Sequence, residues 1–252
     1  MNDRKDNQLI IKRRKKRIRR RFFVFSLLLI ITSIALAFNL KTFDIKEIFV
    51  KNNVKVTKDD IINLSGISIG DNIFYVSFYK SKKNILSNPY IKTVKLKRKL
   101  PGSIEISVTE RNEAVYFQKE NSFYILDETG VFLKKSSEAP ALLKIKGIEN
   151  KVSYEKNSIL FKDSRYKYAI EKFSILDFSS KYNKYKFKSV DLSSLVNIKL
   201  YINNMEIRLG SDEDLLDKVN KAISIMSKDG VSLEKGYIDV SFKGIPVFYI
   251  EK

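Results

Sequence analysis

Apolar residues dominate one stretch of the chain and alternate with polar ones over the rest. Residues 22–40 read FFVFSLLLIITSIALAFNL, nineteen consecutive positions without a charge. At a rise of 1.5 Å per residue such a helix is about 28 Å long, close to the hydrocarbon thickness of a bilayer. It has no polar face of the kind that an amphipathic soluble helix shows. From residue 43 the pattern breaks into short runs. Residues 43–50 (FDIKEIFV) predict a strand that changes parity, and so carries a bulge or an edge, near Glu47. Thr57 with Asp60 three positions on predicts a capped helix with Ile61, Ile62 and Leu64 inward and Gly66 at its end. A second helix is predicted over 78–86, stopped at Asn88-Pro89. Residues 90–97 and 104–110 alternate as two strands joined by a turn at Pro101-Gly102. The order strand, helix, helix, strand, strand predicts a small α+β unit with both helices on one side of a three-stranded sheet.

Beyond Asn112 strands predominate. Residues 114–117, 123–126 and 131–133 predict a meander, its last two strands joined by the turn Asp127-Glu128-Thr129-Gly130. A helix over 164–180 would bury Ala169, Ile170, Phe173 and Leu176. A hairpin is expected over 198–202 and 205–209, across Asn203-Asn204. Ser211-x-x-Asp214 predicts a capped helix with an inward stripe of Leu215, Val219, Ala222 and Met226, ending at Gly230. The last strands are 237–242 and 245–250, with a turn at Lys243-Gly244. In the final strand Ile245, Val247 and Tyr249 share one face, and Pro246, Phe248 and Ile250 the other, so both are apolar. Pro246 cannot donate a ladder hydrogen bond, which favours an edge. An interior strand whose aromatics fill the core is the alternative that this pattern leaves open.

Charge changes the reading of the apolar stretch. The 48 Lys and Arg exceed the 29 Asp and Glu by +19, and +9 of this lies in residues 1–21, where Arg4, Lys5, Lys12, Arg13, Arg14, Lys15, Lys16, Arg17, Arg19, Arg20 and Arg21 face only Asp3 and Asp6. A basic cluster on the N-terminal side of an apolar helix predicts a cytoplasmic N-terminus, with residues 41–252 across the membrane. Ala35-Leu36-Ala37 has the small-x-small form of a leader cleavage site, but the apolar run continues to Leu40. Cleavage there would also remove more than the usual leader of about 15–30 residues. A retained anchor is the better reading. The tail has no interleaved aromatics for reading nucleic acid, and it is expected to attract anionic lipid at about 1 kcal/mol per basic residue.

The chain has no Cys, no His and no Trp. That excludes thiol nucleophiles, histidine-ligated metals and Ser-His-Asp chemistry. No phosphate-binding glycine loop occurs, and no carboxylate sits in a catalytic motif. Asp127-Glu128 lacks the spaced ligands of a calcium loop. No catalytic residue, metal, cofactor or small-molecule substrate is therefore expected. Arg111, beside Glu110, reads as an ion-pair or hinge residue. The basic run Lys92, Lys95, Lys97, Arg98 and Lys99 reads as a solvated face, with lipid, wall polymer or a partner protein as the alternatives.

Several motifs in order carry a resemblance. They are Gly66-x-x-x-Gly70-Asp71-Asn72-Ile73-Phe74; Asn88-Pro89-Tyr90-Ile91; Lys97-Arg98-Lys99-Leu100-Pro101-Gly102-x-Ile104-x-Ile106-x-Val108-x-Glu110-Arg111; Leu126-Asp127-Glu128-x-Gly130-Val131; and Gly236-Tyr237-Ile238-Asp239-Val240. Together with the basic tail and the apolar helix they resemble FtsQ/DivIB, bitopic cell-division proteins with a POTRA domain outside the membrane. The resemblance implies an α+β chain of four parts: a cytoplasmic tail (1–21), a transmembrane helix (22–40), a POTRA-type domain (41–112) and a β-rich domain (113–252). It further implies a non-enzymatic scaffold at the division septum. Such a scaffold binds FtsB/DivIC-like and FtsL-like bitopic partners and, through them, influences the septal peptidoglycan synthase. The partner is expected to add a strand beside Phe242, Lys243, Gly244, Val247, Phe248 and Tyr249. The sequence departs from the family pattern in having no Trp in that strand. A membrane-anchored wall-binding or wall-active protein, and a POTRA-type chaperone of secreted substrates, are the alternative functions.

Overall fold

The computed structural model describes residues 3–38, 40–155, 158–161, 163–178, 185, 187–202, 204–227 and 235–250. Helix α1 (Asp3–Phe38) runs without a break through the basic cluster into the apolar stretch. Along it Phe22, Phe23, Phe25 and Leu27 to Ile31 are exposed. The side chains of residues 1–13, which include Arg4, Lys5, Lys12 and Arg13, and those of 34, 35 and 37–39 lie outside the described set. Among the described residues no helix is long and apolar enough to cross a membrane. The described chain divides into two units, residues 1–109 and 110–252.

In the first unit the strand expected from residue 43 starts later. Lys41–Phe43 forms a 3-10 turn, and β1 is Glu47–Lys51. The intervening residues pair with a loop instead: Ile73 N–H donates to Phe43 C=O (2.9 Å) and Ile45 N–H to Asp71 C=O (2.8 Å). Ile45 is still fully buried, so the apolar pattern was correct about burial and wrong about conformation. Helix α2 (Lys58–Ser65) begins at Thr57, whose hydroxyl accepts from Asp60 N–H, and ends at Gly66 in the left-handed conformation (φ 63°), which glycine reaches without a Cβ penalty. Helix α3 (Phe78–Ile85) is capped by Ser77. Strands β2 (Ile91–Lys99) and β3 (Ser103–Glu110) follow, and the sheet order is β1-β3-β2 with β1 parallel to β3. Ile48, Ile61, Ile85, Val94, Ile104, Ile106 and Val108 form its core with Ile45, each contributing about 1.5–3 kcal/mol by burial.

The second unit opens with the expected meander, β4 (Glu113–Lys119), β5 (Ser122–Asp127) and β6 (Phe132–Ser136). Three short strands that the sequence pattern does not mark follow: β7 (Leu143–Lys146), β8 (Val152–Glu155) and β9 (Ser158–Phe161). Helix α4 (Ser164–Phe178) comes next; residue 180, its expected end, lies outside the described residues. Strand β10 (Phe187–Asp191), another unmarked one, precedes the hairpin β11 (Ile198–Ile202) and β12 (Met205–Gly210). Helix α5 (Leu215–Met226) and strands β13 (Gly236–Asp239) and β14 (Val247–Ile250) complete the unit. Among the described residues nine strands form one sheet in the order β14-β13-β12-β11-β10-β7-β4-β5-β6, and β8 pairs only with β9. Helices α4 and α5 pack on each other and on β4 and β12, covering one face over a core that includes Phe117, Leu143, Ile145, Phe173, Leu200, Ile207 and Val219.

Two local expectations are corrected. Ser211 and Asp214 make no capping box: Asp214 stands at the helix start in the left-handed conformation with no side-chain cap. Ser211 is engaged elsewhere, because Lys218 Nζ donates to its carbonyl (3.1 Å) and its hydroxyl (3.3 Å). The expected stripe of Leu215, Val219 and Ala222 is buried, Ile223 is buried beside it, and Met226 packs partly buried against the same core; Gly230 and Asn203 lie outside the described residues. Strand β13 stops at Asp239 rather than 242, since the Asp239 carboxylate accepts from Ser241 N–H (3.0 Å) and Oγ–H (2.6 Å) and turns the chain.

Candidate functional site

Strand β14 is the outermost strand of the nine-stranded sheet, and among the described residues it is hydrogen-bonded to β13 alone. Its register pairs Tyr237 with Tyr249, Ile238 with Phe248 and Asp239 with Val247. Ile238, opposite Phe248, is fully buried, whereas Val247, Phe248 and Tyr249 are each about half exposed and Phe242 nearly so. Lys243 and Gly244 are exposed. Both side-chain faces of β14 are therefore open, and among the described residues no strand pairs with the backbone donors and acceptors of its outer edge. The structure brings all six expected residues onto this strand and the loop leading into it. It also adds one that sequence reasoning passed over, Ile245, which is 88% exposed in the same loop.

The strand is held close by a glycine. Gly236 lies opposite Ile250 with φ 146°, and a Cβ there would collide with the carbonyl oxygen of Tyr249. Beside the loop, Phe242 and Lys243 line a groove of about 190 Å³ with the start of α5, where Glu213, Asp214 and Asp217 face Lys218 and Lys221.

From β14 a polar and aromatic ladder crosses the sheet. Tyr249 stacks on Tyr237 (centroids 5.8 Å apart), Arg208 lies 3.9 Å over the Tyr237 ring, and Arg208 Nε donates to Glu206 (2.8 Å). Lys199 adds a second cation 3.5 Å from Glu206, and Lys146 sits over the Tyr201 ring (4.9 Å). Burial works to raise the Glu206 carboxyl, but the Arg208 hydrogen bond and the Lys199 and Arg208 charges outweigh it and hold the group below the usual carboxylate range. The same contact raises Arg208. Burial, then the Glu206 charge, pushes the Tyr201 phenol up. Tyr237, Arg208 and Glu206 were missed as a group, although the Glu206-x-Arg208 alternation already places both on one face of a strand.

The Asp127 turn is built as a structural knot. The carboxylate is fully buried and accepts from Thr129 N–H (2.8 Å), Val131 N–H (2.8 Å), the Thr129 hydroxyl (2.8 Å) and Arg111 Nη1 (2.6 Å). With its lone pairs filled by fixed donors it is a poor cation ligand, and among the described residues no cluster of acidic side chains is arranged to hold a metal. Arg111 forms the ion pair expected of it. Arg98 departs from the expected solvated face: it donates to Ile73 C=O (2.8 Å) and Val76 C=O (2.9 Å) and lies 4.2 Å over the Phe78 ring.

Residues 43–111 match the family described as POTRA domain, FtsQ-type, and residues 114–241 match Cell division protein FtsQ/DivIB, C-terminal. The chain belongs to the FtsQ/DivIB family of cell division proteins. It is 40% identical over 251 residues to Cell division protein DivIB of Clostridium tetani, covering 98% of this chain and 94% of that one. It is 37% identical over 251 residues to the DivIB of Clostridium acetobutylicum (99% and 100% covered) and 34% over 232 residues to that of Clostridium botulinum (91% and 90% covered). The C-terminal family match ends at Ser241, one residue before the loop and strand of the candidate site.

Proposed function

We propose that this cell division protein is a bitopic, non-enzymatic scaffold of the divisome. In this reading residues 1–21 are a basic cytoplasmic tail, 22–40 cross the membrane, and the POTRA-type (41–112) and β-rich (113–252) domains lie outside it. The uncharged run after a +9 cluster supports the topology. The scaffold binds FtsB/DivIC-like and FtsL-like partners by strand addition at β14 and through them influences septal peptidoglycan synthesis. The observation that carries this reading is an edge strand, apolar and exposed on both faces, at the end of a nine-stranded sheet. Such an edge is aggregation-prone unless something covers it, and an added strand supplies both the missing hydrogen bonds and cover for Val247, Phe248 and Tyr249.

The test is a pull-down of a DivIC-like ectodomain by the detergent-solubilised full chain. Phe248→Asp and Tyr249→Asp should each abolish capture while thermal unfolding stays cooperative, because neither side chain belongs to the core. Unchanged capture by both variants refutes the assignment.

A further inference from the structure

The end of the first external unit that adjoins residues 41–46 has a surface unlike a plain solvated one. Two loops are pinned to the chain just after the apolar run. Gly70 N–H donates to Ile45 C=O (2.8 Å) and Ile45 N–H to Asp71 C=O (2.8 Å), which ties down the loop between α2 and α3. Lys46 N–H donates to Gly102 C=O (2.8 Å), which ties down the β2–β3 turn. Gly102 approaches so closely that a Cβ there would lie 2.6 Å from Asp44 C=O. Five residues separate Leu40, the last of the apolar run, from Lys46, and that segment spans at most about 20 Å when extended. Three of them are wound into the 3-10 turn, which shortens it further.

These two loops carry large apolar side chains in the open: Ile69 is 71%, Tyr75 68% and Leu100 59% exposed. Around them Lys41, Lys46, Lys97 and Lys99 are exposed as well. Lys99 is the distant partner of Glu105 (3.9 Å), whose near partner is Lys51 (2.7 Å). The acidic groups nearby are Asp44, Glu47 and Asp71, and the last already accepts from Ser68 N–H (2.9 Å). Residues 41–112 hold fourteen Lys and Arg against seven Asp and Glu, whereas residues 113–252 come to only +3. Apolar tips flanked by lysines suit the interface of a membrane with anionic headgroups.

We propose that Ile69, Tyr75 and Leu100 form a lipid-contacting rim that enters the headgroup region of an anionic outer leaflet, with Lys46 and Lys99 on its phosphates. The rim fixes the tilt of the external part of the chain against the membrane. This inference rests on residues 22–40 being a membrane anchor.

The absence of Trp from the chain makes a single introduced Trp an unambiguous reporter. Full-length Phe25→Trp, Ile69→Trp, Leu100→Trp and Val54→Trp are reconstituted in phosphatidylcholine and phosphatidylglycerol vesicles, with and without acyl-brominated lipid. Val54 is the control: it is exposed and lies beyond β1, which runs about 16 Å away from the rim. Phe25→Trp, Ile69→Trp and Leu100→Trp should lose fluorescence to the bromines, and Val54→Trp should not. In pure phosphatidylcholine the loss at Leu100→Trp should shrink while that at Phe25→Trp stays. Quenching at Phe25→Trp with Ile69→Trp and Leu100→Trp as bright as Val54→Trp overturns the rim and leaves the anchor standing. A bright Phe25→Trp overturns the anchor and the rim with it. Equal quenching of Leu100→Trp in both lipids overturns the requirement for anionic headgroups.

Discussion

Asp127 shows how one residue can suggest a site and serve a turn. Beside Glu128 it has the look of a cation ligand, yet the carboxylate is buried under four donors from Arg111, Thr129 and Val131. Replacing it strands Arg111, whose side chain is only 19% exposed, and leaves the turn's N–H groups without an acceptor. Removing one partner of a buried pair costs about 3–5 kcal/mol. Asp127→Ala should therefore lower the unfolding free energy by an amount near the bottom of that range, since Arg111 keeps some solvent. The measurement is urea unfolding of the solubilised chain, with added Ca²⁺ expected to have no effect on the wild type. The ion pair was foreseeable in kind, because an Arg next to a domain junction wants a carboxylate. The identity of that carboxylate, sixteen positions away, follows only from β5 folding back beside the start of β4.

At the scale of elements, β14 depends on a residue in its neighbour. Gly236 has a φ that L side chains rarely adopt, and a Cβ would strike the Tyr249 carbonyl. Gly236→Ala should push β14 off β13 while β4 to β12 keep their pairing. Amide hydrogen exchange measures this: Tyr249 and Ile250 should exchange faster, with β11 and β12 unchanged. The elements read well from sequence were those with local signals. Thr57 and Gly66 bracket α2, Asn88-Pro89 follows the end of α3, and the hairpins over 91–110 and 198–210 alternate cleanly. Strand β7 was missed because it is a short run whose partners are both distant in sequence. Strand β7 pairs in parallel with both β4 and β10, and nothing within LKIK announces that. The Ser211-Asp214 cap failed for a related reason, since Lys218 from the next turn of helix took the serine.

For the whole molecule, the family assignment and the proposed topology make a cellular prediction. A functional fluorescent fusion at the N-terminus should concentrate at midcell in dividing cells, read by microscopy across the cell cycle. A uniform membrane signal throughout would count against a septal role. The sequence by itself determined the uncharged run after a basic cluster, the absence of Cys and His, and the alternation that makes strands apolar on one or both faces. These are properties of residue type and spacing, and no folding is needed to read them. Only the tertiary structure decided which of those strands lies at an edge. Pro246 leans residues 245–250 toward an edge, but their apolar faces leave a central strand open, because apolar alternation records that a face will be covered and not by what. Long-range pairing orders the sheet from β6 to β14, and that order leaves Phe248 and Tyr249 exposed.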